Sequence, residues 1–273
     1  MDYSDINDIK YEIGSARIIY KTSYLKIFMI SLILIIISLF IIHNISLNRV
    51  SDVENVIYLD DKINKDVLQE KIKERSPIII NNMIIQDDLL FELKPEELYD
   101  GNPDYLINYE GENKNISDLI QSKGYIINNN KFIDDFKMKY RIERLLYGFD
   151  LNIHCFKKYD FNLFLEKKKL SLNYNRNNVC SILQLNGEQT INLFHPNYAN
   201  KIRELGIDIW EKNSDKINEK LIETQFLEVN LKAGQILYIP PLWRWCNIVQ
   251  YNCVYVKYTC DSYFTSIINK LKY

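Results

Sequence analysis

Histidine is scarce in this chain. Three occur in 273 residues, at His43, His154 and His195. No His-x-Asp or His-x-Glu pair is present, so a metal centre built from closely spaced imidazole and carboxylate has little raw material. His154 and His195 read as ordinary polar residues. Glycine (8) and proline (6) are also few, which excludes collagen-like, low-complexity and linker-rich architectures. Neither sign of charge is in excess: 34 Lys and Arg stand against 36 Asp and Glu, for a formal net charge of −2. A nucleic-acid footprint needs a basic surplus gathered on one face, so no nucleic-acid partner is expected. The five cysteines, Cys155, Cys180, Cys246, Cys253 and Cys260, include no Cys-x-x-Cys, which removes zinc-ribbon and thioredoxin-like readings. No G-x-S-x-G, P-loop or G-x-G-x-x-G sequence occurs.

What is abundant is hydrophobic. Apolar residues make up 47%, and one uncharged run, Ile27 to Ile42 (IFMISLILIIISLFII), is apolar on every face. As a helix this run spans about 24 Å, a little short of a hydrocarbon core of about 30 Å. Leu25 and the stretch from His43 to Leu47 extend it. A cleaved signal peptide is the rival reading. The run follows a long hydrophilic segment, and no small-x-small cleavage sequence comes after it, which favours an uncleaved anchor. Lys10, Arg17, Lys21 and Lys26 precede the run, and Arg49 and Lys62 follow. The positive-inside rule places residues 1–25 in the cytosol and the folded region on the lumenal or extracellular side. The short span points to the endoplasmic reticulum or a membrane derived from it. On that side Asn115, in Asn115-Ile116-Ser117, is a glycosylation candidate. Isoleucine, asparagine, lysine and tyrosine are common, a codon bias that suits an AT-rich viral or protist genome.

Beyond the anchor, the segment 52–60 reads as a strand and 66–75 as a short helix. Ser76-Pro77-Ile78-Ile79-Ile80 is a buried β-branched strand. Helical patterns cover Asp87 to Tyr99 and Lys131 to Tyr147, with short strands at Tyr105 to Tyr109 and Tyr125 to Asn128. The second half is β-rich. Val179 to Leu185 runs into Asn186-Gly187, a strong hairpin signal, and Thr190 to Phe194 returns. A charged helical insert follows, about 199–222. Phe226 to Leu231 alternates at period two, Lys232-Ala233-Gly234 turns, and Gln235 to Ile239 ends at Pro240-Pro241. Trp245 to Val249 and Cys253 to Thr259 form a last predicted hairpin. It would set Cys246 opposite Cys253; the plainer reading is five small buried hydrophobes. Many short strands without a βαβ rhythm predict a sandwich or barrel.

Three segments resemble the Jumonji C and cupin-like (cupin 8) family of Fe(II)- and 2-oxoglutarate-dependent oxygenases. Arg75-Ser76-Pro77-Ile78 is similar to an early R-x-P-hydrophobic strand. Gln184-Leu185-Asn186-Gly187 through Leu193-Phe194-His195-Pro196 is similar to a family strand pair. Gly234-Gln235-Ile236-Leu237-Tyr238-Ile239-Pro240-Pro241-Leu242-Trp243 resembles the stretch before the distal iron ligand. The resemblance covers about residues 55–262. It implies a mainly β fold, a double-stranded β-helix (cupin or jelly-roll barrel) with flanking helices, preceded by one transmembrane helix. The organisation is then a cytosolic tail at 1–25, an anchor at 26–46, a linker at 47–56 and the cupin-like domain at 57–273.

The resemblance also says what is missing. Counting back from Gly187 sets Tyr174 and Arg176 where the family has its His and its carboxylate. Trp245 stands at the distal His, and Gln189 at the lysine that pairs with 2-oxoglutarate. A guanidinium at Arg176 repels a metal. No metal, cofactor or catalytic residue is therefore expected, and a membrane-anchored, non-catalytic binding or scaffolding protein is the leading reading. Two forms of it stay open: a barrel plugged by Trp245, or a pocket of Tyr174, Arg176, Gln189, Trp245 and Lys257 holding a small anionic ligand. Partners are the membrane, through a single pass, and either a protein or such a ligand. The alternatives are a Fe(II)/2-oxoglutarate-dependent hydroxylase with ligands from atypical positions and a divergent sugar- or small-molecule-binding cupin.

Overall fold

The structure, a computed structural model, describes residues 3–51, 54–60, 64–81, 90, 94–95, 98, 102–109, 112–146, 149, 155–198 and 225–271. The predicted helix at 87–99 falls mostly, and His154 and the charged insert at 199–222 wholly, outside these residues. The chain divides into two compact units, Met1–Leu47 and Asn48–Tyr273. The first is one helix, α1 (Tyr3–Leu47), continuous through the segment read as a tail. Its stretch Tyr24–Ser46 is long and apolar enough to cross a membrane, and its window is unburied. An uncleaved anchor and a signal sequence both satisfy that description.

The second unit starts directly after it. Ser51 is buried, its Oγ lies 3.4 Å from Ser76 Oγ, and Arg75 Nη1 donates to the Arg49 carbonyl at 2.8 Å. Most of the span read as a linker is thus part of the folded unit. Helix α2 (Lys65–Glu74) is capped by Asn64, whose side chain accepts from Asp66 N–H. It ends at Arg75, in the left-handed region at φ 59°, where a C-terminal reversal requires positive φ. Strand β1 (Ile57–Leu59) pairs parallel with β2 (Ile78–Ile80), all of whose residues are buried. A hairpin, β3 (Leu106–Tyr109) with β4 (Glu112–Asn115), leads into α3 (Ile116–Gln121). Next come β5 (Tyr125–Asn129), α4 (Asn130–Asp135) and α5 (Lys139–Leu145). The expected single helix over 131–147 is broken at Lys137, which has φ 52°.

The remaining strands are β6 (Cys155–Phe164), β7 (Lys168–Lys169), β8 (Asn173–Tyr174), β9 (Val179–Asn186), β10 (Glu188–Phe194), β11 (Phe226–Lys232), β12 (Ile236–Ile239), β13 (Arg244–Val249) and β14 (Cys253–Ser262). Helix α6 (Tyr263–Leu271) follows. The seven-stranded sheet runs β1-β2-β12-β9-β14-β6-β5, and the five-stranded sheet runs β11-β10-β13-β7 with β8 also on β13. From β6 onward the pairing is nested and antiparallel. β6 pairs β14, β7 and β8 pair β13, β9 pairs β12, and β10 pairs β11.

This nesting changes two expected hairpins. β9 and β10 lie in different sheets, and so do β13 and β14. Asn186-Gly187 is a corner between sheets. Gly187 has φ 68°, and a Cβ there would sit 2.8 Å from the Asn252 carbonyl oxygen. The turn chemistry was legible, but the sheet each arm joins depends on which face each strand buries. Cys246 and Cys253 accordingly do not face each other across a hairpin, and both are free and buried.

Alternation along the strands divides the core. On β9, Val179, Leu183 and Leu185 join one cluster with Phe161, Val256 and helix residues such as Leu119, Phe132 and Ile142. Cys180 and Ile182 join the other, between the sheets, with Ile191, Leu193, Val229, Leu237, Trp243 and Trp245. A strand apolar on both faces is what a sheet covered on both sides requires.

Candidate functional site

The space between the sheets is not wholly apolar. A cavity of ≈120 Å³ lies there, bounded by Asn162 on β6, Ile182 on β9, and Tyr255 and Lys257 on β14. Trp245 and Asn247 on β13 face it from the opposite sheet. Leu170, Ser171 and Asn173 close it beside β7 and β8, and Ile127 and Asn128 form the rim. Period two explains the selection. On β13, Trp245, Asn247 and Val249 are buried while Arg244 and Ile248 are half-buried; on β14, Tyr255 and Lys257 point inward, and Val256 and Tyr258 enter the opposite cluster.

A chain of amides supports the wall. Gln184 Nε2 donates to the Asn186 carbonyl at 2.7 Å, and Gln189 Nε2 donates to Gln184 Oε1 at 2.6 Å. Asn247 Nδ2 donates to Gln189 Oε1 at 2.7 Å. All three side chains are at most 1% exposed. The chain consumes the Asn247 amino group and leaves its Oδ1 buried with no partner among the described residues.

At the cavity one carboxylate, Asp160, is shared by two lysines. Lys257 Nζ lies 3.3 Å from Asp160 Oδ2 and donates to Asn128 Oδ1 at 3.0 Å. Lys158 Nζ reaches Asp160 Oδ1 at 2.9 Å. Asn162 is held by Asp160, whose carbonyl accepts from Nδ2 at 2.8 Å, and by Asn128 N–H, which donates to Oδ1 at 3.0 Å. Burial pushes the Tyr255 phenol above its ordinary range, with Cys253 and Asp160 adding to the effect. Burial likewise takes the Cys253 thiol up to about 12, against the hydrogen bond from Gln184. Both groups are neutral at physiological pH.

The residues singled out from sequence are divided by this geometry. Trp245 and Lys257 share the cavity wall. Gln189 stands one hydrogen bond behind it, through Asn247. Tyr174 and Arg176 do not line it: the Tyr174 ring lies between the guanidinium carbons of Arg176 (5.2 Å) and Arg244 (4.8 Å). The inward residues of that strand and its extension are their neighbours. Asn173, in register with Trp245, lines the cavity, and Asn175 is fully buried. A slip of one residue moves every side chain to the other face, so the expected five-residue pocket is not assembled. Asn115 ends β4 at the N-cap of α3, with no side-chain cap bond.

Asp160, Asn162 and Asn247 were not found by sequence reasoning. The signal for two of them was Tyr159-Asp160-Phe161-Asn162-Leu163, a period-two pattern whose polar face normally meets solvent. His195 is structural. Its Nε2 is 3.0 Å from the Ser51 carbonyl, to which it donates, and its Nδ1 accepts from Asn197 N–H at 3.2 Å. Among the described residues no three His, Cys, Asp or Glu side chains gather as a metal group. No protein-family model matches the chain, and no curated protein matches it either.

Proposed function

We propose that this chain is a membrane-anchored member of the cupin-like group whose folded unit is a double-stranded β-helix used for binding rather than oxidation. The observation that carries the fold reading is the nested pairing of β6 through β14, first strand with last and innermost with innermost. That is the pattern a two-stranded ribbon makes when coiled into a barrel. Two of the three sequence segments resembling Jumonji C proteins sit within this pairing, on β9, β10 and β12; the first leads into β2, which pairs with β12. The helix Tyr24–Ser46 supplies the anchor.

The residues present do not fit an iron centre of the Jumonji type. At the inward positions beside the proposed distal site stand two carboxamides, Asn173 and Asn175, and an indole, Trp245. Asn175 is committed, donating to the Ile239 carbonyl at 2.7 Å and accepting from Asn177 N–H at 2.8 Å. A facial triad needs imidazoles and a carboxylate with open positions opposite. Asp160, the carboxylate paired with the cavity-lining Lys257, is engaged by two lysines. Tethered binding or scaffolding is therefore favoured over a hydroxylase.

The test is thermal unfolding of the full chain in lipid nanodiscs with Mn(II) and 2-oxoglutarate. A ligand at a hundred times its dissociation constant stabilises by about 2.7 kcal/mol. The expected outcome is no rise in melting temperature with either or both. A rise that needs both together would return the oxygenase reading to first place. Alkaline extraction of cell membranes checks the anchor: the intact chain stays in the pellet, and a shortened soluble chain would refute it.

A further inference from the structure

We infer that the cavity between the two sheets is a binding site for a small uncharged polyhydroxyl compound, a polyol or a monosaccharide. This rests on the reading of the folded unit as a binding barrel and names what that barrel takes.

The first observation is a buried polar atom with nothing to bond, in a wall that also holds an indole and a phenol. Asn247, Trp245 and Tyr255 are 1%, 4% and 5% exposed, and all three line the same cavity. Among the described residues, Asn247 Oδ1 is buried with no hydrogen-bond partner. Buried polar groups are almost always paired. With no protein atom to take it, the hydrogen bond of Asn247 Oδ1 falls to whatever occupies the cavity. The amide chain behind Asn247 fixes which end it presents, because Nδ2 is held by Gln189.

The second observation is charge. The cation on the cavity wall, Lys257, is paired with Asp160, which Lys158 also engages, and is bonded to Asn128. A carboxylate or phosphate ligand would have to displace that pairing, which disfavours the anionic ligand expected from sequence. A neutral ligand leaves it intact.

The third is chemistry and size. Asn247 Oδ1 calls for a donor, the indole N–H calls for an acceptor, and the phenol serves as either. A hydroxyl is both donor and acceptor, and vicinal hydroxyls satisfy several such groups at once. The indole and phenol rings offer apolar faces to the C–H side of a polyol. At ≈120 Å³ the cavity is well below the roughly 300–1,000 Å³ of drug-sized sites, which limits the ligand to a few carbons or a single sugar ring.

The experiment is saturation-transfer NMR on the full chain in sugar-free lipid nanodiscs. The probes are erythritol, D-xylose, and 2-oxoglutarate with Mn(II). Tyr255→Phe removes one hydroxyl at little change in shape, Trp245→Phe removes the indole N–H together with part of the ring, and circular dichroism confirms that each variant folds. The expected result is transfer to erythritol or D-xylose, with affinity about two- to tenfold weaker in each variant, the loss of one hydrogen bond. Absence of transfer to both neutral probes overturns the inference. So does transfer of equal strength in wild type and both variants, which means the probe binds elsewhere. If the neutral probes fail and 2-oxoglutarate with Mn(II) fails too, this site assignment falls while the non-oxidative reading stands. If 2-oxoglutarate with Mn(II) binds, both fall.

Discussion

Asn175→Ala isolates the joint that holds the cavity end of the two sheets together. Asn175 is fully buried, and its side chain ties two segments. Nδ2 donates to the Ile239 carbonyl at 2.7 Å, and Oδ1 accepts from Asn177 N–H at 2.8 Å. Its backbone adds two more bonds, N–H to the Trp243 carbonyl at 2.9 Å and carbonyl from Leu242 N–H at 2.8 Å. The Pro240–Trp243 turn clasped in this way carries Leu242 at φ 71°, a left-handed conformation that costs a non-glycine residue about 1–2 kcal/mol. Alanine keeps the backbone bonds and deletes these two side-chain bonds and a longer one accepted from Asn177 Nδ2 at 3.3 Å. Two net hydrogen bonds contribute about 1 kcal/mol each, and stranding the buried Ile239 carbonyl adds about 1–2 kcal/mol. The expected loss is about 3 kcal/mol, or about 6–12 °C in melting temperature for a unit of this size. Trp243 and Trp245 flank the joint, so intrinsic fluorescence during thermal unfolding in nanodiscs reads it. Leu242→Gly in the Asn175→Ala background should return about 1 kcal/mol, because glycine relieves the strain the clasp no longer restrains. A loss under about 1 kcal/mol for Asn175→Ala would refute the reasoning.

Gly187→Ala should destabilise by at least about 2 kcal/mol, from positive φ and backbone overlap at Asn252; a melting temperature equal to wild type would contradict the corner described here. Burial raises the Asp261 carboxyl to about 6, against the hydrogen bond from Asn178 N–H. Its folded pKa then exceeds the unfolded value near 3.9, so protonation favours the native state and this group's contribution to stability grows as pH falls from about 6 to 4. Asp261→Asn should raise stability at pH 7 by about 1–2 kcal/mol, allowing for solvent screening, and flatten that acid-side rise; parallel pH profiles for mutant and wild type would count against it. Lys257→Met leaves Asp160 with Lys158 alone and should cost about 1–3 kcal/mol, read by the same unfolding assay, with recovery in Lys257→Met/Asp160→Asn; no recovery would mean the pairing is not the cause.

Several elements could be read from local sequence because their causes are local. The membrane-length apolar helix follows from the run Ile27 to Ile42 and its apolar flanks, since a helix apolar on every face has no other comfortable medium than lipid or a very large core. Most strands of the second half were marked by alternation and by turn residues at Gly187 and Gly234, whose φ values of 68° and 82° match the chemistry that glycine permits. β6 was missed because it places Asp160 and Asn162 inside the molecule, against the usual assignment of polar residues to solvent.

The sequence by itself determined that the chain has one membrane-length apolar helix, a β-rich unit and too little histidine for a typical imidazole-based metal centre. Only the tertiary structure decided which strands share a sheet, because Asn186-Gly187 specifies a reversal and not the partners of its arms. It also decided the register at the site. Tyr174 and Arg176 differ from Asn173 and Asn175 by one position, and in a strand one position is the difference between the two faces. Finally it decided charge: the sequence offers Lys257 as a free cation, and the fold sets Asp160 3.3 Å away. Pairing across distant strands is a property of the packed sheet, and no local pattern encodes it.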